Sequence, residues 1–251
     1  RKNISKPYLI KGGCKKMNVF SESNKLEYLK NEFGKIKFPV ELYETKELMG
    51  ETEIRNIKEK KFSMIFDKIS SDSKPYWYMA EVELKDYVDN EIIENKFNLE
   101  IDKERENDGV LMFFGNSGKS GCHLHTGNDY ILNQIVGRKN VYMFNYNDND
   151  VEFRSIFSDR SNFIKKNFFT MDHSKMKIYK VELEEGDSLM IPPWWWHAVE
   201  GIGLNCSITK TYERSDYSYV YDKPNLAFVM IVAGFLDFFE DSFEIIVTTI
   251  I

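Results

Sequence analysis

Apolar positions in this chain gather in short runs bounded by proline, glycine and polar clusters, a spacing that suits strands better than long helices. Phe38-Pro39-Val40-Glu41-Leu42-Tyr43 reads as a short strand and Phe62–Ile69 as an apolar-rich segment. Lys74-Pro75 is a breaker that opens an aromatic strand at Tyr76–Ala80, and a helix is expected near Leu84 to Phe97. Gly109 to Gly121 reads as a strand ending in a turn, Gly115-Asn116-Ser117-Gly118-Lys119-Ser120-Gly121. Glu185 to Pro193 reads as a turn, a short apolar strand and a proline-stopped end. Near the N-terminus, Ser23 is placed to cap a helix running through Lys30.

Two stretches change the character of the chain. Residues 145–175 form a polar and aromatic insertion that starts at Asn145-Tyr146-Asn147-Asp148-Asn149-Asp150. Beyond Tyr212, Asn225 to Phe239 is apolar apart from Asn225 and Asp237, which is short of the roughly 20 residues a helix needs to cross a bilayer. A buried or dimer-forming helix is expected there, with Glu244–Ile251 as a final strand or the end of that packing element. The expected organisation is an N-terminal extension over 1–35, a barrel domain over 36–212 and a C-terminal apolar helical element over 213–251.

Composition supports a β core. Aromatic residues make up 15% of the 251, and aromatic and β-branched side chains favour pleated, half-buried strands. The length suits one substantial core with appendages. The formal charge of −6 gives no support for binding a phosphate backbone, and the run Lys58-Glu59-Lys60-Lys61 is a solvated face interrupted by an acid. Gly118-Lys119-Ser120 lacks the full spacing of a phosphate loop, so a nucleotide site is rejected. Cys14, Cys122 and Cys206 form neither a CxxC pair nor an even-numbered framework, which makes a cytoplasmic or nuclear location the expectation.

The candidate chemistry lies with the histidines. Only four occur, and three fall in Cys122-His123-Leu124-His125 and Pro193-Trp194-Trp195-Trp196-His197. In an extended strand, residues i and i+2 point to one face, so His123 and His125 can approach one metal ion. His197 would complete the set from a second strand brought alongside. Such a layout suits a small β-barrel with ligands lining its mouth. His173, in a charged loop-like stretch, is given no role.

Taken in order, His123-Leu124-His125, Gln134-Ile135-Val136-Gly137-Arg138-Lys139, Val141-Tyr142-Met143-Phe144, Gly186-Asp187-Ser188-Leu189-Met190-Ile191-Pro192 and Trp196-His197 resemble the JmjC or cupin-8 group of Fe(II)- and 2-oxoglutarate-dependent oxygenases. The resemblance covers about residues 36 to 212. It implies a mainly β fold with flanking helices, a double-stranded β-helix of the cupin or jelly-roll kind. Iron is then held by a His-x-Asp/Glu pair and a distal His, and a Lys on the next strand binds the far carboxylate of 2-oxoglutarate. By position, His123 is the first ligand, His197 the distal ligand and Lys139 the cosubstrate anchor, with Tyr130, Asn133 and Thr209 as further cosubstrate donors. Trp194 and Trp196 are expected to line the substrate pocket.

The chain departs from this pattern at one position, where His125 stands in place of the carboxylate. Asp129 could supply the missing oxygen ligand, or the register could slip so that His125 is first and Gly127 occupies the carboxylate position. Keeping both imidazoles on one face favours His123, His125 and His197 together. Three neutral imidazoles leave the same open positions on the ion but a more positive centre.

The resemblance implies an oxygenase that hydroxylates a protein side chain or a tRNA base. A metal-binding pseudoenzyme acting as an interaction module, or a three-His cupin enzyme that does not use 2-oxoglutarate, are the other readings. The expected partner is a protein or peptide substrate. No membrane span is expected, and a homodimer through 225–251 is.

Overall fold

The computed structural model describes residues 6–47, 49, 56–99, 109–125, 127–145 and 162–213. The expected C-terminal element, its apolar run and the homodimer assigned to 225–251 lie outside the described residues, as does 146–161 of the insertion.

Among the described residues, nine antiparallel strands dominate: β1 (Tyr8–Ile10), β2 (Lys37–Tyr43), β3 (Ile57–Lys61), β4 (Tyr76–Glu83), β5 (Val110–Lys119), β6 (Asn128–Asn145), β7 (Tyr179–Leu183), β8 (Ser188–Ile191) and β9 (Trp195–Glu213). They hydrogen-bond in the order β1-β8-β6-β9-β5-β4-β2-β3, with β7 also paired to β6. This is the expected jelly-roll, barrel-like architecture, flanked by α1 (Lys25–Phe33), α2 (Phe62–Ser71) and α3 (Asn90–Phe97). The long strands β6 and β9 pair from Asn128↔Glu213 to Asn145↔Trp195, and they form the spine on which the central cavity is built.

Local sequence explains the flanking helices. Phe62, Ile65, Phe66 and Ile69 recur at helical spacing, and all four are buried, so the apolar-rich segment is α2. The cap of α1 is Asn24 rather than Ser23; its side chain accepts from the Glu27 N–H at 3.2 Å. The single helix expected from Leu84 to Phe97 is divided into a 3-10 turn at Leu84–Asp86 and α3. A continuous helix would put Ile93 roughly 180° round the axis from Leu84. Extending the chain at Asp89 instead lets Leu84, Val88, Ile93 and Phe97 all enter the core.

The glycine-rich stretch 115–119 is strand and not turn, because β9 pairs with it through Gly115↔Asn205, Asn116↔Leu204 and Lys119↔Glu200. A β-carbon on Gly115 would sit 2.7 Å from the ring of Tyr78, so this glycine provides close approach between β5 and β4. On the outer side, Phe33, Phe38, Phe62 and Phe114 pack edge-on or tilted under α1 and α2. Within the barrel, Leu132, Val141, Met143, Leu183, Leu189, Ile191 and Trp195 form a separate apolar cluster.

Two bulges decide what faces the cavity. In β6 the register shifts between Gln134 and Arg138, around Gly137 at φ +73°. Leu132 and Lys139 are an odd number of residues apart, and a regular strand would turn them to opposite faces. The bulge brings both inward. In β4 the register shifts between Met79 and Val82, with Glu81 at φ +50°, and Tyr78 and Glu81 then reach the same cavity.

Candidate metal centre

His123 and His125 come from the segment between β5 and β6, and His197 from the start of β9. His123 and His197 are locked as an antiparallel pair: the His123 N–H donates to the His197 carbonyl at 3.0 Å, and the His197 N–H returns the bond at 2.8 Å. The carbonyl of His125 accepts from the Trp194 N–H at 2.9 Å, which ties the second imidazole to the same edge. One potential ligand atom from each of the three rings lies within 4.8 Å of the others. Nitrogen–metal bonds of about 2.1 Å make this close to the span of one ion.

The rings are oriented for ligation. Nδ1 of His123 lies 3.0 Å from the Gly121 carbonyl, and Nδ1 of His197 lies 3.1 Å from the Trp195 carbonyl. With Nδ1–H donating to those carbonyls, each Nε2 keeps its lone pair for a metal. His125 is held differently, by its ring stacking on Tyr130 at 3.7 Å between centroids. Burial, then repulsion from His197 and His123, holds the His125 imidazole well below its ordinary value of 6.5. Burial and His123 push His197 down to about 3. Both rings are therefore neutral near pH 7, the protonation state a metal requires.

The same cavity contains Lys139. Its side chain is 4% exposed, and its ammonium donates to Ser207 Oγ at 2.6 Å and lies 5.3 Å from the centre of the Phe113 ring. Among the described residues it makes no salt bridge, although Glu81 lines the same cavity, and burial lowers its pKa from 10.5 to about 8. Thr209 lines the cavity, and its Oγ1 is buried without a hydrogen-bond partner among the described residues. Tyr130 lines it as well, its phenol raised to about 12 by burial and the charge of Glu81. A buried ammonium without a salt bridge, in one cavity with a hydroxyl that has no hydrogen-bond partner among the described residues, is an environment that a small anion would complete.

Not every expected residue lies there. Asn133 points away from the cavity; its amide oxygen accepts from Ser188 Oγ at 2.7 Å and its amide nitrogen donates to the Ile131 carbonyl. Strand alternation accounts for this, because Leu132 takes the inward position. Trp194 and Trp196 do not line the cavity either. They pack with Cys122, Leu124, Phe144, Ile164 and Phe168 in another cluster, with Trp196 on the opposite face of β9 from His197. Asp129 pairs with Tyr212 in the ladder and is not in the histidine cluster, and Gly127 offers no side-chain ligand. His173 stacks near Phe168, 4.5 Å between centroids, away from the other three.

Seven cavity residues went unassigned in the sequence; Leu132, Ile191 and Val199 are apolar walls on β6, β8 and β9, and the other four are Tyr78, Glu81, Phe113 and Ser120. These four sit on or just beyond β4 and β5, and no local pattern marks them. Their inward direction follows from the β4 bulge and from pairing with β9. All three cysteines are buried and in no disulfide; Cys206 is raised to about 12 and Cys14 to about 11, in each case chiefly by burial.

No curated protein matches the chain. Among solved structures, one of E. coli YcfD is 15% identical with a TM-score of 0.48, and covers 88% of this chain and 53% of its own. Another, of the Escherichia coli ribosomal oxygenase YcfD, is 15% identical with a TM-score of 0.47, and covers 88% of this chain and 52% of its own. The chain thus spans about half the length of these proteins. No helix among the described residues is long and apolar enough to cross a membrane. The family described as "Cupin-like domain" matches residues 3–218, and with a jelly-roll fold and a three-histidine cluster at its cavity the chain belongs to that family, the JmjC-type cupins.

Proposed function

We propose that this chain is an Fe(II)- and 2-oxoglutarate-dependent oxygenase that hydroxylates a protein side chain. One observation carries the reading: the His123, His125 and His197 cluster and the buried Lys139 ammonium share a single cavity. The ligand nitrogens would hold the ion, and Lys139 with Thr209 and Tyr130 would hold the far carboxylate of the keto acid. When bound, iron would supply C–H hydroxylation with dioxygen as the oxidant and the keto acid as the two-electron co-reductant, decarboxylated in the process. The chain's own part is positional. Backbone carbonyls fix two imidazoles through Nδ1, Tyr130 fixes the third by stacking, and the apolar walls Leu132, Ile191 and Val199 would keep bulk water from an ion pair between Lys139 and the keto acid.

A second reading rests on His125. A third imidazole in place of a carboxylate leaves the bound ion with one more positive charge, which favours a centre that binds metal and keto acid but turns over slowly or not at all. The deciding experiment is anaerobic metal analysis of the purified protein together with its oxygen-dependent consumption of 2-oxoglutarate. Stoichiometric iron with turnover supports the oxygenase. Metal without consumption of the keto acid supports the interaction module, and absence of metal removes both.

A further inference from the structure

Two strands keep an open edge on a part of the surface that the histidine site does not use. Among the described residues β1 pairs with β8 alone and β7 with β6 alone. In an antiparallel ladder, every second residue of such a strand points its N–H and C=O outward along the free edge. A groove of about 1000 Å³ lies between the two strands, with the run Lys6 to Leu9 on one wall and Lys177 to Val181 on the other. Side chains alternate across a strand, so consecutive residues can all line one space only where the edge itself faces it. Met143, Leu189 and Trp195 give the groove an apolar floor. None of its lining residues is shared with the histidine cavity.

The formal charges lining the groove are Lys6, Lys177 and Lys180, all positive and all exposed. Lys177 lies 5.4 Å over the Tyr179 ring, and Lys180 donates to Glu182 at 2.9 Å in an exposed pair that another carboxylate can replace at little cost. The two faces of β7 differ. Val181 and Tyr179 pair with Val141 and Met143, which are buried in the barrel, whereas Lys180 pairs with Tyr142 on the opposite face. A strand laid beside β7 would therefore meet apolar surface on its inner side and a lysine on its outer side.

We propose that this groove docks a partner protein through an extended segment in which carboxylates alternate with apolar side chains, added as a strand to the free edge of β7. The edge supplies main-chain hydrogen bonds, the floor takes the apolar side chains, and the lysines select carboxylates over cations. The template is β7 because it offers five residues against the three of β1, and Pro7 gives no N–H beside β1. A single-stranded nucleic acid would find charge and rings here, but it makes no use of a strand edge, and the net charge of −6 opposes its phosphates.

The test is binding of the capped peptide Glu-Val-Glu-Val-Glu, matched in length to β7, to the full chain by NMR. Saturable binding is expected, with the amides of Tyr179–Leu183 shifting most and those of His123, His125 and His197 unmoved. The peptide Lys-Val-Lys-Val-Lys binds at least about tenfold more weakly, and replacing Lys177 and Lys180 together by glutamine weakens the acidic peptide about tenfold, the size of two surface ion pairs, without lowering the melting temperature. Two further acidic peptides, N-methylated either at the valines or at the glutamates, separate strand addition from charge attraction. One set loses the hydrogen bonds to β7 and binding with them, while the other, whose methyl groups point to solvent, retains binding. No saturable binding, equal binding of the acidic and basic peptides, unchanged affinity in the double lysine variant, equal effects of the two N-methylated sets, or tighter binding of an oligouridylate than of the acidic peptide overturns the proposal.

Discussion

Replacing Lys139 with methionine separates a ligand-binding role from a structural one, because the two predict opposite signs. The side chain is 4% exposed, so solvent screening takes little from its desolvation. Its pKa falls from 10.5 in the unfolded chain to about 8 in the fold, chiefly through burial. At about 1.4 kcal/mol per pH unit, holding the ammonium in the cavity costs the ligand-free fold about 3 kcal/mol. The folded value lies below the unfolded one, so between pH 8 and 10.5 the unfolded chain binds the extra proton and stability rises with pH. Below pH 8 the cost is present in full. Lys139→Met fills a similar volume without charge. Urea denaturation at pH 7 is therefore expected to show the ligand-free variant more stable than the parent by up to about 3 kcal/mol, with the gap closing towards pH 10.5. Calorimetric titration of 2-oxoglutarate into the Mn(II)-loaded protein is expected to show the reverse: loss of the buried charge partner weakens binding by about 2–5 kcal/mol, some 30- to several-thousand-fold. A variant that is less stable than the parent yet binds 2-oxoglutarate with unchanged affinity would refute the assignment.

Three further outcomes are expected. His197→Ala should lose most bound Zn(II) or Mn(II) by elemental analysis, while His173→Ala, whose ring packs on Phe168, keeps it; the opposite pattern would move the metal elsewhere. His125→Asp restores a carboxylate to the donor set and should raise 2-oxoglutarate decarboxylation in the presence of iron and oxygen; strong turnover by the parent that His125→Asp abolishes would make the three-histidine centre the working catalyst. Gly137→Ala places a β-carbon 2.2 Å from the Leu204 carbonyl at a residue with φ +73°, and thermal melts should show a loss of at least about 2 kcal/mol along with weaker keto-acid binding, as the bulge that turns Lys139 inward is disturbed; an unchanged melt would show that β6 relaxes there.

What the sequence determined by itself was carried in short-range pattern. His123 and His125 share a face because they are two apart in extended chain, and the prolines before His197 mark the end of the strand that precedes it. Lys139 shares its parity with Val141 and Met143, so its inward direction followed from neighbours only a few residues away. These features survive because alternation depends on local geometry. Tertiary structure decided the rest. Pairing with β9 made strand of a glycine- and serine-rich stretch whose local preference is turn, since the ladder satisfies backbone groups that a turn would leave to water. Strand parity turned Asn133 to Ser188 and Trp196 to Phe144, away from the cavity that family position had assigned them. Glu81 and Tyr78 reached that cavity through a one-residue bulge between β4 and β5, and the register of two strands distant in sequence is not a property of either segment alone.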